Sequence, residues 1–169
     1  MLGKGGVIVF LVVLLPSFNQ MAYVKSDDKC IENGLAEIAD IQLGDLKSTI
    51  VNKLGLPTSV LYDADEGSSG QNSGESLFYP GIEFFSADIG GVTYIKTSTE
   101  KHDSVYGIKV GMSFKEVTDT LNIDYTNKQR LMVYLCDQPN FLEPHFLFTF
   151  ATNDGAKLKS IEIALGGEL

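Results

Sequence analysis

The chain has 169 residues, 44% of them hydrophobic, which is enough for one domain or two small domains with a buried core. Its formal net charge of −9 argues against nucleic acid as a partner, because binding to phosphates needs clustered Lys and Arg. Arg130 is the only arginine, so bidentate clamps for phosphate or carboxylate groups are scarce as well.

The N-terminus predicts export. Lys4 precedes an apolar run over residues 7–15, and Pro16 opens a polar exit, which is the pattern of a secretory signal peptide. The run is shorter than the ~20 residues of a membrane-spanning helix. We expect residues 1–22 to be a signal peptide or an uncleaved anchor, and residues 23–33 to be a lead-in. The protein would then be periplasmic or extracellular, with membrane contact only through an uncleaved N-terminus.

Cys30 and Cys136 are the two cysteines of the chain. In an exported protein an even pair favours a disulfide. Whether the two sulfur atoms meet depends on the fold, so the sequence leaves this bond open.

One stretch of the chain occurs twice. Residues 41–55 return as residues 108–122 without a gap, with Ile, Gly and Leu at matching places. Such self-similarity is typical of two copies of one structural unit. We therefore divide the chain into a first unit over residues 34–100 and a second unit over residues 101–169.

The first unit predicts two helices followed by strands. The helices lie over residues 34–40 and 45–54, with Asp45 as the N-cap of the second. Gly55 suits a helix end that needs a positive φ. An acidic, Gly- and Ser-rich loop over residues 63–75 interrupts the strands. The predicted strands cover residues 58–62, 76–79, 82–85 and 92–97.

The second unit repeats this order. Ser113 and Glu116 fit a capping box at the start of its helix, and Asn122 stands where a positive φ ends it. Strands are predicted over residues 131–136, 145–150 and 161–165. The predicted fold class is α+β, with two related units. Each would be a short helical pair or a helix packed on an antiparallel sheet of about three to four strands.

The repeated stretch also resembles a known signature. The residues of the first copy are Leu43, Gly44, Ile50, Leu54 and Gly55, followed by Pro57, and those of the second are Val110, Gly111, Met112, Ser113, Glu116, Val117 and Leu121. They resemble a bacterial superfamily that includes the outer-membrane assembly lipoproteins of the SmpA/OmlA (BamE) type. The tandem arrangement is similar to that of the β-lactamase inhibitory protein. The resemblance implies helices packed on antiparallel sheets and a role in binding proteins.

One face of the predicted sheet carries aromatic residues. Strand alternation sends Phe85, Tyr94, Met132 and Tyr134 to the face opposite the helices. Exposed aromatic residues and Met beside Glu83 and Lys96 predict a protein-binding surface. The alternative is that the other unit, the acidic loop or the N-terminal segment covers this face.

The sequence holds no nucleophile elbow, Gly-rich phosphate loop or paired-Cys metal motif. Cys136 and His145 could form a thiol–imidazole pair, but a structural cysteine is favoured. Asp63 begins an acidic segment like a calcium loop, but the glycine and glutamate of such a loop are out of register. We predict no catalytic residue, no metal site and no cofactor.

These observations predict an exported bacterial, non-enzymatic module that binds a protein or takes part in cell-envelope assembly through a sheet surface. One alternative is an inhibitor of a secreted or periplasmic enzyme, whose loop over residues 63–75 or 137–144 would enter an active site. The other is a small-ligand carrier or an uncharacterised enzyme, which would need convergent polar groups in a pocket.

Overall fold

The computed structural model describes seven stretches of the chain: residues 22–23, 30–32, 36–63, 73–123, 130–136, 145–151 and 156–165. Their strands are β1 (Ala22–Tyr23), β2 (Glu37–Ile38), β3 (Ile41–Gln42), β4 (Ser59–Asp63), β5 (Gly74–Tyr79), β6 (Ile82–Ala87), β7 (Gly91–Thr97), β8 (Arg130–Tyr134), β9 (His145–Phe150) and β10 (Leu158–Ala164). The helices are α1 (Lys47–Leu54) and α2 (Phe114–Thr120), with a 3-10 turn at Val105–Gly107.

The N-terminal prediction falls mostly outside these stretches. Of the expected signal peptide over residues 1–22, only Ala22 is described. Neither α1 nor α2 nor any other helix within the described residues is long and apolar enough to span a bilayer.

Eight of the strands form one sheet, in the order β1-β8-β9-β10-β7-β6-β5-β4. The seven longer strands are antiparallel to one another, and the two-residue β1 is parallel to β8. β7 and β10 pair in the middle of the sheet, with Lys96 opposite Glu162.

The predicted α+β fold of two units is therefore wrong, because the protein is mostly β. The last strands of the two halves hydrogen-bond to each other, and this pairing satisfies backbone groups that two separate sheets would leave at their edges. The strands of both halves consequently form one continuous sheet. The bounds of the two units, residues 34–100 and 101–169, stay a prediction.

The helix predicted over residues 34–40 is also wrong where the structure describes this segment. β2 and β3 form a hairpin in which Ile38 pairs with Ile41. Ala39 and Asp40 form its turn with φ values of 57° and 61°. Ile38 and Ile41 are completely buried, and this burial offsets the strain of two non-glycine residues in the left-handed region.

The core lies between one face of the sheet and the helices. Ile50 of α1 and Val117 of α2 are completely buried there. Burying such a side chain stabilises the fold by about 1.5–3 kcal/mol. The alternation predicted for the strands is confirmed, because one buried row crosses six neighbouring strands: Leu77, Phe84, Ile95, Ile163, Phe146 and Val133.

The two copies of the repeated stretch have similar local structure. Gly44 and Gly111 both have positive φ, at 87° and 93°. The Gly44 N–H donates to the Val92 carbonyl at 2.7 Å, and the Gly111 N–H donates to the Leu158 carbonyl at 2.8 Å. Each copy is thereby joined to one of the two central strands, β7 or β10.

The two helices begin differently. The capping box of α2 is confirmed, since the Ser113 N–H donates to the Glu116 carboxylate and the Glu116 N–H donates to Ser113 Oγ. Asp45 was predicted to cap α1, but the N-cap is Leu46, and the Asp45 carboxylate accepts from the Gln42 N–H instead. Asn122 has the predicted positive φ, at 50°.

The N-terminal part of the chain covers the β8 edge of the sheet. β1 pairs with β8, and Ile31 forms a parallel bridge with Leu135. The Ile31 N–H donates to the Tyr134 carbonyl at 2.8 Å, and the Ile31 side chain is buried. Part of the expected lead-in over residues 23–33 is therefore packed against the sheet.

Candidate functional site: the outer face of the sheet

We call the sheet face opposite α1 and α2 the outer face. Strand register aligns its side chains in two rows, because side chains alternate between the faces of a strand. The first row is Ser76, Phe85, Tyr94, Ala164, His145 and Tyr134. The second row is Phe78, Glu83, Lys96, Glu162, Leu147 and Met132.

All four residues predicted to bind a partner lie on the outer face. Phe85 and Tyr94 stand directly opposite each other on β6 and β7. Met132 and Tyr134 lie two residues apart on β8. Each of the four is half-buried. The sequence therefore gives the correct face for these side chains, while their role in binding stays a prediction.

A charged cluster lies beside the Phe85–Tyr94 pair. Lys96 Nζ is 3.9 Å from Glu83 Oε1 and 3.6 Å from Glu162 Oε1. The Tyr94 hydroxyl donates to Glu162 Oε2 at 3.1 Å. Glu162 also accepts from Ser160 Oγ at 3.1 Å. These contacts connect Glu83 of β6 and Tyr94 and Lys96 of β7 to Glu162 of β10, across the middle of the sheet.

The cluster changes the acidity of its tyrosine. Burial raises the pKa of Tyr94 above its ordinary value of 10.0, and the carboxylates of Glu162 and Glu83 raise it further. The phenol therefore stays protonated and keeps donating to Glu162. One lysine between two carboxylates leaves the cluster with a net negative charge.

Sequence reasoning placed Glu83 and Lys96 beside the aromatic residues but missed Glu162. The signal for Glu162 was available, because it alternates with the buried Ile161 and Ile163 on β10. The sequence could not predict that Glu162 lies close to Lys96, because this contact joins residues from the two halves of the chain.

The outer face is covered along β9, whereas β8 on one side and β5, β6 and β7 on the other have half-buried residues. Leu147 and His145, both on β9, are only 2% and 6% exposed. The Tyr134 ring lies beside the His145 ring, and the centroids of the two rings are 6.3 Å apart. The accessible part on β5, β6 and β7 contains the Phe85–Tyr94 pair, and we call it the open patch. It consists of Phe78, Glu83, Phe85, Tyr94 and Lys96.

A shallow cavity adjoins the open patch at its end near the β5–β6 turn. Its volume is about 210 Å³, and Phe78, Glu83, Lys96 and Ser98 are among its lining residues. Small-molecule sites are usually larger, at roughly 300–1,000 Å³. The open patch is thus a nearly flat surface with a small depression at one end.

Cys30 and Cys136 form a disulfide. The bond joins the segment that contains Ile31 to the end of β8, next to the backbone bonds between Ile31 and β8. With its sulfur bonded to Cys30, Cys136 has no thiol to pair with His145.

The two loops considered for an inhibitor fall largely outside the described residues. Residues 137–144 are not described, and of residues 63–75 only Asp63 and residues 73–75 are. Within the described stretches, no group of three or more His, Cys, Asp or Glu side chains is placed to hold a metal ion.

Comparison with known proteins gave no match: no family model, no curated protein and no solved structure is significantly similar to this chain.

Proposed function

We propose that this chain is an exported bacterial protein-binding module that acts in the cell envelope without catalysis. Its binding surface is the open patch of the outer face. The observation that carries the proposal is the Phe85–Tyr94 pair, held half-exposed beside the Lys96 charge cluster.

This arrangement suits recognition of a folded partner. Aromatic side chains provide much of the binding energy of protein interfaces, and charged groups around them give orientation and specificity. The aromatic pair lies on neighbouring strands of an eight-stranded sheet, so little backbone entropy is lost on binding. The net negative charge of the cluster and of the whole chain favours a partner with a basic rim around an apolar centre.

Two features support export. The N-terminal sequence has the pattern of a signal peptide. The Cys30–Cys136 bond is consistent with an oxidising compartment, since disulfides are rare in proteins of a reducing cytosol.

Affinity capture with the full chain from envelope and culture-supernatant fractions tests this function. The test variant replaces Phe85 and Tyr94 with Ser, because these two aromatic residues lie in the open patch. A protein captured by the wild type and lost from the variant would support the proposal. The control variant changes exposed apolar residues that lie off the outer face: Leu46→Ser, Leu56→Ser and Ile89→Ser.

The control should capture the same protein as the wild type. Equal capture by the wild type and the test variant would refute the proposed surface. Circular dichroism of all three proteins establishes that any loss does not come from unfolding.

A further inference from the structure

The two edges of the sheet differ in how they are covered by the rest of the chain. At the β8 edge, β1 and Ile31 pair with the sheet, and the Cys30–Cys136 disulfide holds this cover in place. At the other edge, β4 pairs with β5 alone among the residues that the structure describes. All five residues of β4 are exposed, including three with large apolar side chains: Val60, Leu61 and Tyr62.

Within the described stretches, nothing covers β4, and its own five residues include neither Lys nor Pro. Proteins block such edges with Lys, Pro or a covering segment, because unpaired backbone groups recruit other strands. The sequence of β4 is Ser-Val-Leu-Tyr-Asp, in which the only charged residue is Asp63, at the end. Its three central residues favour strand pairing.

The register shows which backbone groups of β4 face outward. Tyr79 and Ile82 flank a two-residue hairpin turn, so they form a hydrogen-bonded pair. The groups of β5 alternate from that point, and the Phe78 carbonyl accordingly faces β4, where it accepts from the Thr58 N–H at 2.8 Å. Ser59 is opposite Phe78, so the backbone groups of Val60 and Tyr62 point away from the sheet.

We propose that β4 pairs with β4 of a second copy of this chain, antiparallel and centred on Leu61. In this register Val60 lies opposite Tyr62 of the second copy, and Tyr62 lies opposite its Val60. All four outward N–H groups and all four outward carbonyls of the two strands are then paired. Leu61 lies opposite its own copy on the two-fold axis, and the two sheets become one sheet across the interface.

The strand is complementary to itself in a way that favours a second copy over an unrelated peptide. No charged residue lies among the three central positions, and Asp63 falls opposite Ser59. The two Asp63 residues of such a pair are about four residues apart along the strand axis, or roughly 14 Å. That distance exceeds the Debye length of ~8 Å at physiological salt, so their repulsion is weak.

Cysteine cross-linking tests both the pairing and its register. Both native cysteines are in the disulfide, so a single introduced cysteine supplies the only free thiol. In the proposed dimer the two Leu61 Cα atoms form a non-hydrogen-bonded pair about 4.5 Å apart, within the range of a disulfide. The full chain with Leu61→Cys should therefore form a covalent dimer under mild oxidation.

Val60→Cys is the matched control, because Val60 is also exposed but faces Tyr62 of the second copy. It should cross-link at least about tenfold less than Leu61→Cys, since diagonal positions are separated by ~7–8 Å. Mixing Val60→Cys with Tyr62→Cys should restore a cross-link between the two proteins. Unfolding curves of each variant establish that the fold is intact.

Absence of a Leu61→Cys dimer in folded protein would overturn the proposal. So would an equal or larger yield from Val60→Cys, because that result contradicts the register. The inference concerns the edge of the sheet and not the open patch, so its failure leaves the proposed function untouched.

Discussion

Removing the Cys30–Cys136 disulfide should destabilise the protein strongly. The two cysteines are 106 residues apart in sequence, so the bond closes a long loop in the unfolded chain. The chain-entropy relation gives about 4.7 kcal/mol for a loop of this size, and removal of native disulfides typically costs about 2–5 kcal/mol. At about 3 °C per kcal/mol for a chain of this length, Tm should fall by about 6–15 °C.

The assay compares the wild type with the double variant Cys30→Ser and Cys136→Ser by thermal unfolding. Cys30 is exposed and Cys136 is half-buried, so lost packing contributes little to the difference. Hydrogen exchange of the Ile31 amide gives a local measurement, because this amide donates to the Tyr134 carbonyl beside the bond. Its protection should decrease more than that of the β7 and β10 amides.

Reductant provides the control for this prediction. It should lower the Tm of the wild type toward that of the double variant and leave the double variant unchanged. A Tm loss under about 2 °C with unchanged protection of Ile31 would refute the loop-closure reasoning.

Two further predictions concern the outer face and the central strand. The raised pKa of Tyr94 means that the unfolded chain ionises first, so stability due to this group is complete below pH 10 and is lost as pH rises toward the folded-state pKa. Above pH 10, the free energy of unfolding measured in urea should decrease less with pH for Tyr94→Phe than for the wild type. An equal decrease in the two proteins would contradict this prediction. Gly91→Ala should lower Tm far more than Gly90→Ala. Both glycines have positive φ, but a Cβ at Gly91 would lie 2.5 Å from the Asp45 carbonyl oxygen, whereas at Gly90 it would meet no atom within 4 Å. Similar Tm values for the two variants would contradict the close packing of the Asp45 backbone against Gly91 in β7.

Local signals in the sequence predicted much of the fold. Ser113 and Glu116 identified the start of α2, because both partners of a capping box are four residues or fewer apart. Alternating apolar residues predicted β9 over its full length, from His145 to Phe150. These features depend on neighbours in sequence, and they were read correctly.

The overall architecture depended on contacts that local patterns do not contain. The pairing of β7 with β10 joins residues more than sixty positions apart in sequence, and no short turn connects the two strands to predict it. The β2–β3 hairpin was missed because its turn residues are Ala39 and Asp40, of which Ala is a common helix former. Leu46 lies four residues before the buried Ile50, a spacing typical of one helix face, yet 65% of Leu46 is exposed, because α1 begins only after it.

In the candidate site as well, local patterns were predicted correctly and long-range contacts were not. Period-two alternation was sufficient to place Phe85 and Tyr94 together on one face. It could not show that Leu147 and His145 are buried while Phe85 and Tyr94 are half-buried, because side-chain alternation gives the face of a strand and not its exposure. The contact of Glu162 with Lys96 could not be predicted either, because it joins β10 to β7 at the centre of the sheet.

The most direct test of the proposed binding surface is site-specific photo-cross-linking in the cells that make the protein. A photoreactive phenylalanine analogue is placed at Phe85 in one full-length variant and at Phe114 in another. Both are half-buried phenylalanines, but Phe114 packs against Phe150 on the helix side of the sheet. Irradiation should give a protein adduct from position 85 and none from position 114. Absence of an adduct at position 85, or one formed equally from position 114, would contradict a partner on the outer face.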